Sequence, residues 1–254
     1  MPERVEIVGS EVTSCDSEHA LDLMESQLRG GGGGYVCFTN VHAVVMGRRD
    51  RAFRSITNGS FLSVADGKPV FWVGRMKGAG SLGHVPGPDF FFQALARYPT
   101  HRHFFYGSTP QVLQRLETAL KEAIPQLQVC GKLSPAFRPL TEEDKHQHYA
   151  LIRDSRADFV WVGLGAPKQE QWMAEAWQHL KPSILLGVGA AFDFYAGTVR
   201  RAPTAMGWLG LEWLYRLIQE PRRLWRRYLI TNSLFVGYLL KDLVSGPPNL
   251  DQPK

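Results

Sequence analysis

Residues 157–202, ADFVWVGLGAPKQEQWMAEAWQHLKPSILLGVGAAFDFYAGTVRRA, contain two short apolar runs that each end in a glycine-rich turn. The runs at 159–162 and 184–186 have the β-branched and aromatic composition of buried strands. Between them, Trp172, Ala176 and Leu180 recur at helical spacing. The stretch therefore predicts strand, turn, helix, strand and turn, which is the repeating unit of a parallel α/β sheet.

Each predicted strand is followed by two glycines, Gly163 and Gly165 in the first turn and Gly187 and Gly189 in the second. We expect such turns to leave backbone N–H groups free, and a helix start behind them suits a phosphate or another anion. The plainer interpretation is that the glycines only make tight strand-to-helix turns. A dinucleotide-binding domain, such as a Rossmann-like oxidoreductase, is disfavoured because the second turn lacks the third glycine of that fingerprint.

The rest of the chain continues the alternation of strands and helices. The sequence predicts an α/β fold with a Rossmann-like, mostly parallel sheet, helices on both faces and a helical C-terminal appendage. We expect a catalytic domain over 1–197 and the appendage over 198–254. Further strands are predicted at 35–39, 61–64, 102–106 and 127–130, and further helices at 18–29 with Ser17 as cap, 41–54, 110–123 and 142–156.

The charge of the chain is unevenly distributed. Residues 1–195 carry 20 basic and 20 acidic side chains, so the net charge of +5 comes from residues 196–254. A nucleic-acid-binding protein usually spreads its basic side chains over the main binding domain, so nucleic acid is not the expected partner. Three cysteines without metal-site spacing and an N-terminus without an apolar signal core indicate a reducing, cytoplasmic setting.

The basic tail combines arginines with large apolar residues. Residues 208–228 predict a helix that Pro221 ends or kinks near Glu220. The following apolar run, 229–240, is about twelve residues long, whereas a transmembrane helix needs roughly twenty. We therefore expect the tail to lie on a membrane surface without crossing it. The alternative is an amphipathic helix packed on the core with a solvated basic face.

Several blocks of this sequence resemble the WecB/TagA/CpsF glycosyltransferases, glycosyltransferase family 26. They are GLGAPKQEQW at 163–172, GVGAAFDFYAGTVRRAP at 187–203 and GLEWLYRLIQEPRRLWRRY at 210–228. The resemblance covers about residues 35–240. It implies an inverting enzyme that moves a sugar from a UDP-sugar to a polyprenyl-diphosphate-linked acceptor. The implied sugars are N-acetylmannosamine, its uronic acid or a hexose, and the blocks do not discriminate among them.

The resemblance also implies site residues. Asp66, which follows a predicted strand and precedes Gly67, matches the family's proposed catalytic base, although Asp-Gly-Lys-Pro alone is also a common turn. Asn40 and Gln169 match positions that line the substrate pocket, and Asn40 is equally suited to cap a helix. The family usually has Thr-x-Asn, whereas Thr39 directly precedes Asn40 here, so the role of Thr39 stays open.

The departing diphosphate needs positive groups. The candidates are the amides near Gly165 and Gly189 and an arginine of the tail, because guanidinium groups grip phosphate oxygens in pairs. Asp193 is a possible second carboxylate, but a cap of the following turn is the stronger interpretation. The further candidates are the tail arginines Arg222, Arg223, Arg226 and Arg227, and the substrate-binding positions Asp89, Gly107 and Lys168.

No metal or other cofactor is predicted, because the sequence contains neither Asp-x-Asp nor a histidine pattern with metal-site spacing. The expected partners are a UDP-sugar donor, the lipid-linked acceptor and a membrane surface, with a homo-oligomer as an option. The expected location is the inner face of a bacterial plasma membrane.

Overall fold

A computed structural model describes residues 2–203, 206–207 and 210–246, with the side chains of Arg223 and Arg227 outside that description. The strands in these residues are β1 (Arg4–Ile7), β2 (Ser10–Thr13), β3 (Gly34–Thr39), β4 (Leu62–Ala65), β5 (Arg102–Gly107), β6 (Gln128–Leu133), β7 (Phe159–Gly163) and β8 (Ile184–Gly187). The α-helices are α1 (Ser17–Arg29), α2 (Val41–Arg49), α3 (Arg51–Asn58), α4 (Lys68–Met76), α5 (Gly87–Arg97), α6 (Pro110–Ala123), α7 (Glu142–Asp154), α8 (Lys168–Ala176), α9 (Ala191–Tyr195), α10 (Glu212–Gln219) and α11 (Pro221–Ser245).

Six strands form one sheet in the order β4-β3-β8-β7-β5-β6, and every neighbouring pair is parallel. All six residues of β3 and all four of β8 are buried. Such strands read as nearly continuous apolar runs because helices cover both faces of the sheet. The parallel sheet predicted from residues 157–202 is therefore confirmed, as are the helices at the C-terminus.

Alternate residues of the sheet strands pack in two hydrophobic cores, one on each face of the sheet. Phe159 and Trp161 of β7 pack in one cluster with α1, α5 and α6. Val160 and Val162 point to the other face and pack with α7 and α8. This alternation follows from the two-residue period of a strand. Helices on both faces are thus confirmed.

Local capping decides two helix boundaries differently from the sequence prediction. The single helix predicted over 41–54 is two helices, because the Asp50 carboxylate accepts the N–H groups of Ala52 (2.9 Å) and Phe53 (3.1 Å) and starts α3 there. Ser17 is not the cap of α1. Asp16 is, since its carboxylate accepts the His19 N–H at 2.9 Å. The β1–β2 hairpin and the helices α4 and α5 were not predicted.

The helix is interrupted at Glu220, between α10 and α11, as predicted from Pro221. Helix α11 lies against α2, and its Phe235 is buried in a third cluster with the β1–β2 hairpin and α4. Arg48 of α2 donates to both carboxylate oxygens of Asp242, at 2.8 and 3.3 Å. Among the described helices, none combines the length and apolar character that crossing a bilayer requires. The domain boundary at 197/198 stays a prediction.

Candidate active site

The carboxyl ends of β3 and β4 place two polar side chains beside each other. Asn40 follows β3 and Asp66 follows β4, and the Asp66 amide donates to the Thr39 carbonyl at 3.0 Å. Ligand sites of open α/β sheets lie outside this edge, because the strand-to-helix loops gather there. The turns after β7 and β8 reach the same edge and line the same cleft as Asn40 and Asp66.

The Asp66 carboxylate is held from two sides. The Gly87 N–H donates to Oδ1 at 2.8 Å, and Asn40 Nδ2 donates to Oδ2 at 3.2 Å. His84 Nε2 lies 2.7 Å from the Asp66 carbonyl oxygen. Asn40 Oδ1 accepts the Ala43 N–H at 3.2 Å, so the predicted N-cap is confirmed and the same amide also orients Asp66.

The surroundings of Asp66 shift its proton affinity upward. Burial raises the pKa of the carboxyl, because removal from water disfavours the charged form. The hydrogen bonds from Gly87 and Asn40 and the charge of Arg216 lower this pKa, while Asp89 adds to the rise. The net direction is upward. A carboxylate with a raised pKa is a better general base at neutral pH than an exposed one.

A polar cleft of about 590 Å³ lies over the turns that follow β7 and β8. Gly163, Gly165 and Gly189 line it, together with Gln169. Gly165 has a φ of +76° and no atom within 4 Å of where a Cβ would stand. The glycine is therefore required by backbone conformation, and its amide donates to no acceptor among the residues described.

The turn after β8 differs from the expectation. Its Val188 and Gly189 N–H groups both donate to the Val162 carbonyl, at 3.0 and 3.3 Å. The prediction that this turn leaves its amides free is wrong for these two groups, because the turn folds back onto β7. The open amide at Gly165 leaves the turn after β7 as the better anion cradle.

Gln169 presents an unused acceptor in the polar cleft. The side chain is 6 % exposed, and its Nε2 donates to the Gly187 carbonyl and to Glu170 Oε1, both at 2.9 Å. Its Oε1 is buried without a hydrogen-bond partner. Buried acceptors are rarely left unpaired, so this oxygen is an acceptor that the described residues leave unused.

A second, largely apolar cleft of about 440 Å³ lies between α4 and the C-terminal helices. It shares four residues with the polar cleft, two from the sheet edge and two from α10. The shared residues are Asn40, Asp66, Glu212 and Arg216. Asp66 therefore stands at the junction of two clefts of different character.

Arg216 is the tail arginine that the structure brings to Asp66. It lines both clefts, its charge lowers the pKa of Asp66, and its Cζ lies 5.6 Å from the centre of the Phe194 ring. Its Nε is buried without a hydrogen-bond partner. Sequence reasoning did not select Arg216. Its helical spacing from Glu212 places both residues on one face of α10, but it does not tell what that face opposes, so the sequence offered no signal for Arg216.

Two of the four predicted arginines after Pro221, Arg222 and Arg226, have described side chains. Arg222 and Arg226 are exposed, line neither cleft, and Arg226 lies over the Trp225 ring at 5.2 Å. The side chains of Arg223 and Arg227 are outside the described residues. A new helix begins at Pro221, so Arg222 and Arg226 do not continue the helix face of α10 on which Arg216 lies. That one of the arginines after Pro221 assists catalysis stays a prediction.

Three predicted substrate contacts line neither cleft. Thr39 is buried, and its hydroxyl is 2.7 Å from that of Ser63, so it secures the pair β3–β4. Gly107 has a φ of +123°, and a Cβ there would stand 2.6 Å from the Gly163 backbone, so close strand packing explains it. Lys168 is exposed at the start of α8.

The remaining candidates surround the clefts. Gly67 lines the apolar cleft and is the N-cap of α4. Asp193 lines the polar cleft, and its Oδ1 accepts the Thr198 hydroxyl at 3.1 Å, which supports the predicted cap of the following turn. Asp89 lines neither cleft but holds Arg201, which lines the polar one, through both guanidinium nitrogens.

The described part of the chain contains no group of three or more His, Cys, Asp or Glu side chains arranged to hold a metal ion. Fold and site together define the class: an α/β protein with a carboxylate at the carboxyl edge of its parallel sheet, between two clefts. The chain belongs to the glycosyl transferase WecG/TagA/CpsF family, which it matches over residues 5–248. The family predicted from the signature blocks is thereby confirmed, and the protein is a glycosyltransferase.

A curated relative supports the same placement. The chain is 27 % identical over 249 residues to N-acetylglucosaminyldiphosphoundecaprenol N-acetyl-beta-D-mannosaminyltransferase of Bacillus spizizenii. The match covers 97 % of this chain and 93 % of the relative.

Proposed function

We propose that the protein transfers a sugar from a UDP-sugar to a polyprenyl-diphosphate-linked sugar, with inversion at the anomeric carbon. The observation that carries the proposal is the position of Asp66 at the junction of two clefts. A bisubstrate transferase needs its base where the two substrates meet, because the base must reach the acceptor hydroxyl while that hydroxyl faces the donor. The relative's name supports a lipid-diphosphate acceptor.

The donor fits the polar cleft. Gln169 Oε1 accepts a hydrogen bond from a sugar or uracil group, and the open amide of Gly165 meets a phosphate oxygen. Arg216, which has a buried and unpaired Nε, stabilises the charge that develops on the departing diphosphate. The volume of about 590 Å³ lies within the range of small-molecule sites.

The chemical step is a direct displacement. Asp66 takes the proton of the acceptor hydroxyl, the hydroxyl oxygen bonds to the anomeric carbon, and the bond from that carbon to the diphosphate oxygen breaks. The electron pair leaves with UDP. Since the oxygen attacks from the face opposite UDP, the configuration inverts. The step uses no metal, so we expect transfer to persist in EDTA.

The relative's name makes N-acetylmannosamine the first sugar to test, with its uronic acid and glucose as the other candidates. The enzyme would act at the cytoplasmic face of a bacterial membrane in the synthesis of a cell-wall polymer or exopolysaccharide. Exposed apolar side chains along the last two helices support contact with the bilayer, and self-association over this face stays a prediction. These side chains, the tail surface, are Ile218, Trp225, Leu229, Ile230, Leu240, Leu243 and Val244.

The test is direct. Purified protein is incubated with each UDP-sugar and a farnesyl-diphosphate-linked N-acetylglucosamine, and the product is analysed by mass spectrometry and by NMR of the anomeric proton. We expect one inverted disaccharide product and loss of it in Asp66→Asn. Transfer with retained configuration, or full activity of Asp66→Asn, would contradict the mechanism.

A further inference from the structure

We propose that the apolar cleft is the binding site for the isoprenoid chain of the acceptor, next to its diphosphate. This inference rests on the proposed function and adds a lipid subsite within the protein, separate from contact with a bilayer. Three features support it: the course of the cleft along α4, the chemistry of its two ends, and its continuity with the reaction centre.

Helix α4 gives the cleft its direction. Lys68, Trp72 and Met76 all line the cleft. They are spaced by four residues and therefore share one face of the helix. At 1.5 Å per residue, this face extends about 12 Å away from Asp66. The cleft thus leads from the catalytic carboxylate along the full length of α4.

The character of the lining changes along that path. Near Asp66 it includes Lys68 and the imidazole of His84, beside the carboxylate of Glu212, and Lys68 offers the charge that the acceptor diphosphate needs. Farther along α4 it is formed by Trp72 and Met76, opposite apolar residues of the C-terminal helices. Those opposite residues are Trp213, Tyr228, Phe235, Val236 and Leu239.

Several of the lining residues are exposed to an unusual degree for large apolar side chains. Trp72 is 48 % exposed, Met76 79 % and Val236 54 %. Exposed apolar residues that rim a cleft indicate a surface that is covered in the working state. The cleft is continuous with the reaction centre, because Asp66 and Arg216 line both clefts.

Only an amphiphile satisfies these conditions along one path. The order in the protein is polar cleft, carboxylate, Lys68, apolar cleft and exposed tail surface. The order in the reacting pair is nucleoside diphosphate, donor sugar, acceptor sugar, acceptor diphosphate, isoprenoid and bilayer. A protein partner or a second copy of the chain would cover the rim but would not place a hydroxyl at Asp66.

The experiment measures transfer to soluble acceptors in which N-acetylglucosamine diphosphate carries one, two or three isoprene units, without membrane or detergent. We expect kcat/KM to rise at least about tenfold from the shortest to the longest tail, since each buried methylene contributes. Trp72→Ala and Met76→Asp should remove most of this rise, so that the ratio of kcat/KM between the three-unit and the one-unit acceptor falls towards one. Leu151→Asp on α7, at a residue 49 % exposed, is the matched control and should keep the rise.

A second measurement does not depend on turnover. Farnesyl diphosphate is titrated against the protein by calorimetry, with inorganic diphosphate as the comparison. We expect tighter binding of the farnesyl compound in the wild type and a loss of this advantage in Met76→Asp. If farnesyl diphosphate binds more tightly than diphosphate, and Met76→Asp removes this advantage, but no acceptor is glycosylated, then the proposed function is wrong and the proposal of a lipid-binding cleft is supported. A kcat/KM independent of tail length, or equal binding of both diphosphates, overturns the lipid cleft.

Discussion

At the scale of single residues, Asp66 is the group whose loss should matter most. Asp66→Asn keeps the size of the side chain and an acceptor for the Gly87 N–H, but it cannot take a proton. We expect kcat to fall about a hundredfold or more, the usual contribution of a general base, with KM less affected. Steady-state kinetics measure this, with Asp22→Asn on the exposed face of α1 as control. A loss below tenfold would exclude Asp66 as the base.

The raised pKa of Asp66 gives two linked pH effects. Transfer needs the deprotonated carboxylate, so kcat/KM should fall as pH is lowered through this pKa, above the range of an ordinary aspartate. Stability changes in the opposite sense. The folded state binds the Asp66 proton more tightly than the unfolded chain does. Protonation of Asp66 therefore adds to the free energy of unfolding at low pH, and this contribution is lost as pH rises through the pKa of the folded state.

Thermal unfolding tests this sign. The Tm of the wild type minus that of Asp66→Asn should increase as pH is lowered from 8 towards 5, whatever the constant offset between the two proteins. A difference that is independent of pH, or that shrinks on acidification, would contradict the assigned direction.

Substitutions of Arg216 and Arg222 test which arginine of the C-terminal tail assists the departure of the diphosphate. Arg216→Ala should lower kcat about 100- to 1,000-fold, as expected for a group that stabilises the leaving diphosphate. Arg216→Lys should recover part of that loss, because lysine keeps the charge without the planar fork. Arg222→Ala, which changes an exposed side chain, should stay within threefold when assayed with a soluble acceptor. A larger effect at Arg222 than at Arg216 would restore the arginines after Pro221 as the assisting groups.

The same residues show what sequence could predict. Asp66 and Asn40 were predictable because strand ends of a parallel sheet converge, and the family blocks supplied their roles. Arg216 was not, because helical spacing gives the face of α10 but not what that face opposes. Thr39 does not line the clefts for a related reason. Successive strand residues point to opposite faces, so a difference of one position decides whether a side chain faces the cleft or, like Thr39, the hydroxyl of Ser63.

At the scale of elements, apolar runs predicted the strands better than they predicted the helix ends. Strands β3, β4, β7 and β8 lie within one residue of the predicted positions, since buried parallel strands have uniform composition. The helix over 41–54 was predicted as one, because its apolar spacing continues across Asp50. The break depends on a carboxylate cap, which periodicity does not reveal.

The attachment of α11 to α2 supplies a prediction at this scale. Arg48 and Asp242 are 7 % and 8 % exposed, and Arg48 also lies over the Tyr238 ring at 5.3 Å. Asp242→Ala leaves the guanidinium buried without its carboxylate and should cost about 3 kcal/mol. The double variant Arg48→Met with Asp242→Leu should recover most of this, because replacing a buried pair by apolar groups is often neutral. Urea unfolding measures both, and additive losses in the double variant would show that the pair is not coupled.

At the scale of the whole molecule, the basic excess and a large share of the exposed apolar side chains belong to the same C-terminal part of the chain. The basic excess belongs to residues 196–254, and the exposed apolar residues of the tail surface lie on α10 and α11. Arg222 and Arg226 are exposed beside Trp225. A surface with both features binds an anionic bilayer through apolar insertion and through charge, and salt weakens only the second contribution.

Vesicle sedimentation separates these contributions. Each basic side chain near an anionic surface contributes about 1 kcal/mol, so Arg222→Ala with Arg226→Ala should weaken binding to vesicles containing phosphatidylglycerol at least about tenfold. This effect should shrink as salt is raised. Leu243→Asp should weaken vesicle binding at low and high salt alike. It should leave the dependence of kcat/KM on isoprenoid length unchanged with soluble acceptors, since Leu243 lines neither cleft. Equal binding of all these proteins to vesicles would show that the tail surface faces another occupant, for which a second copy of the chain, detected by sedimentation velocity, is the first candidate.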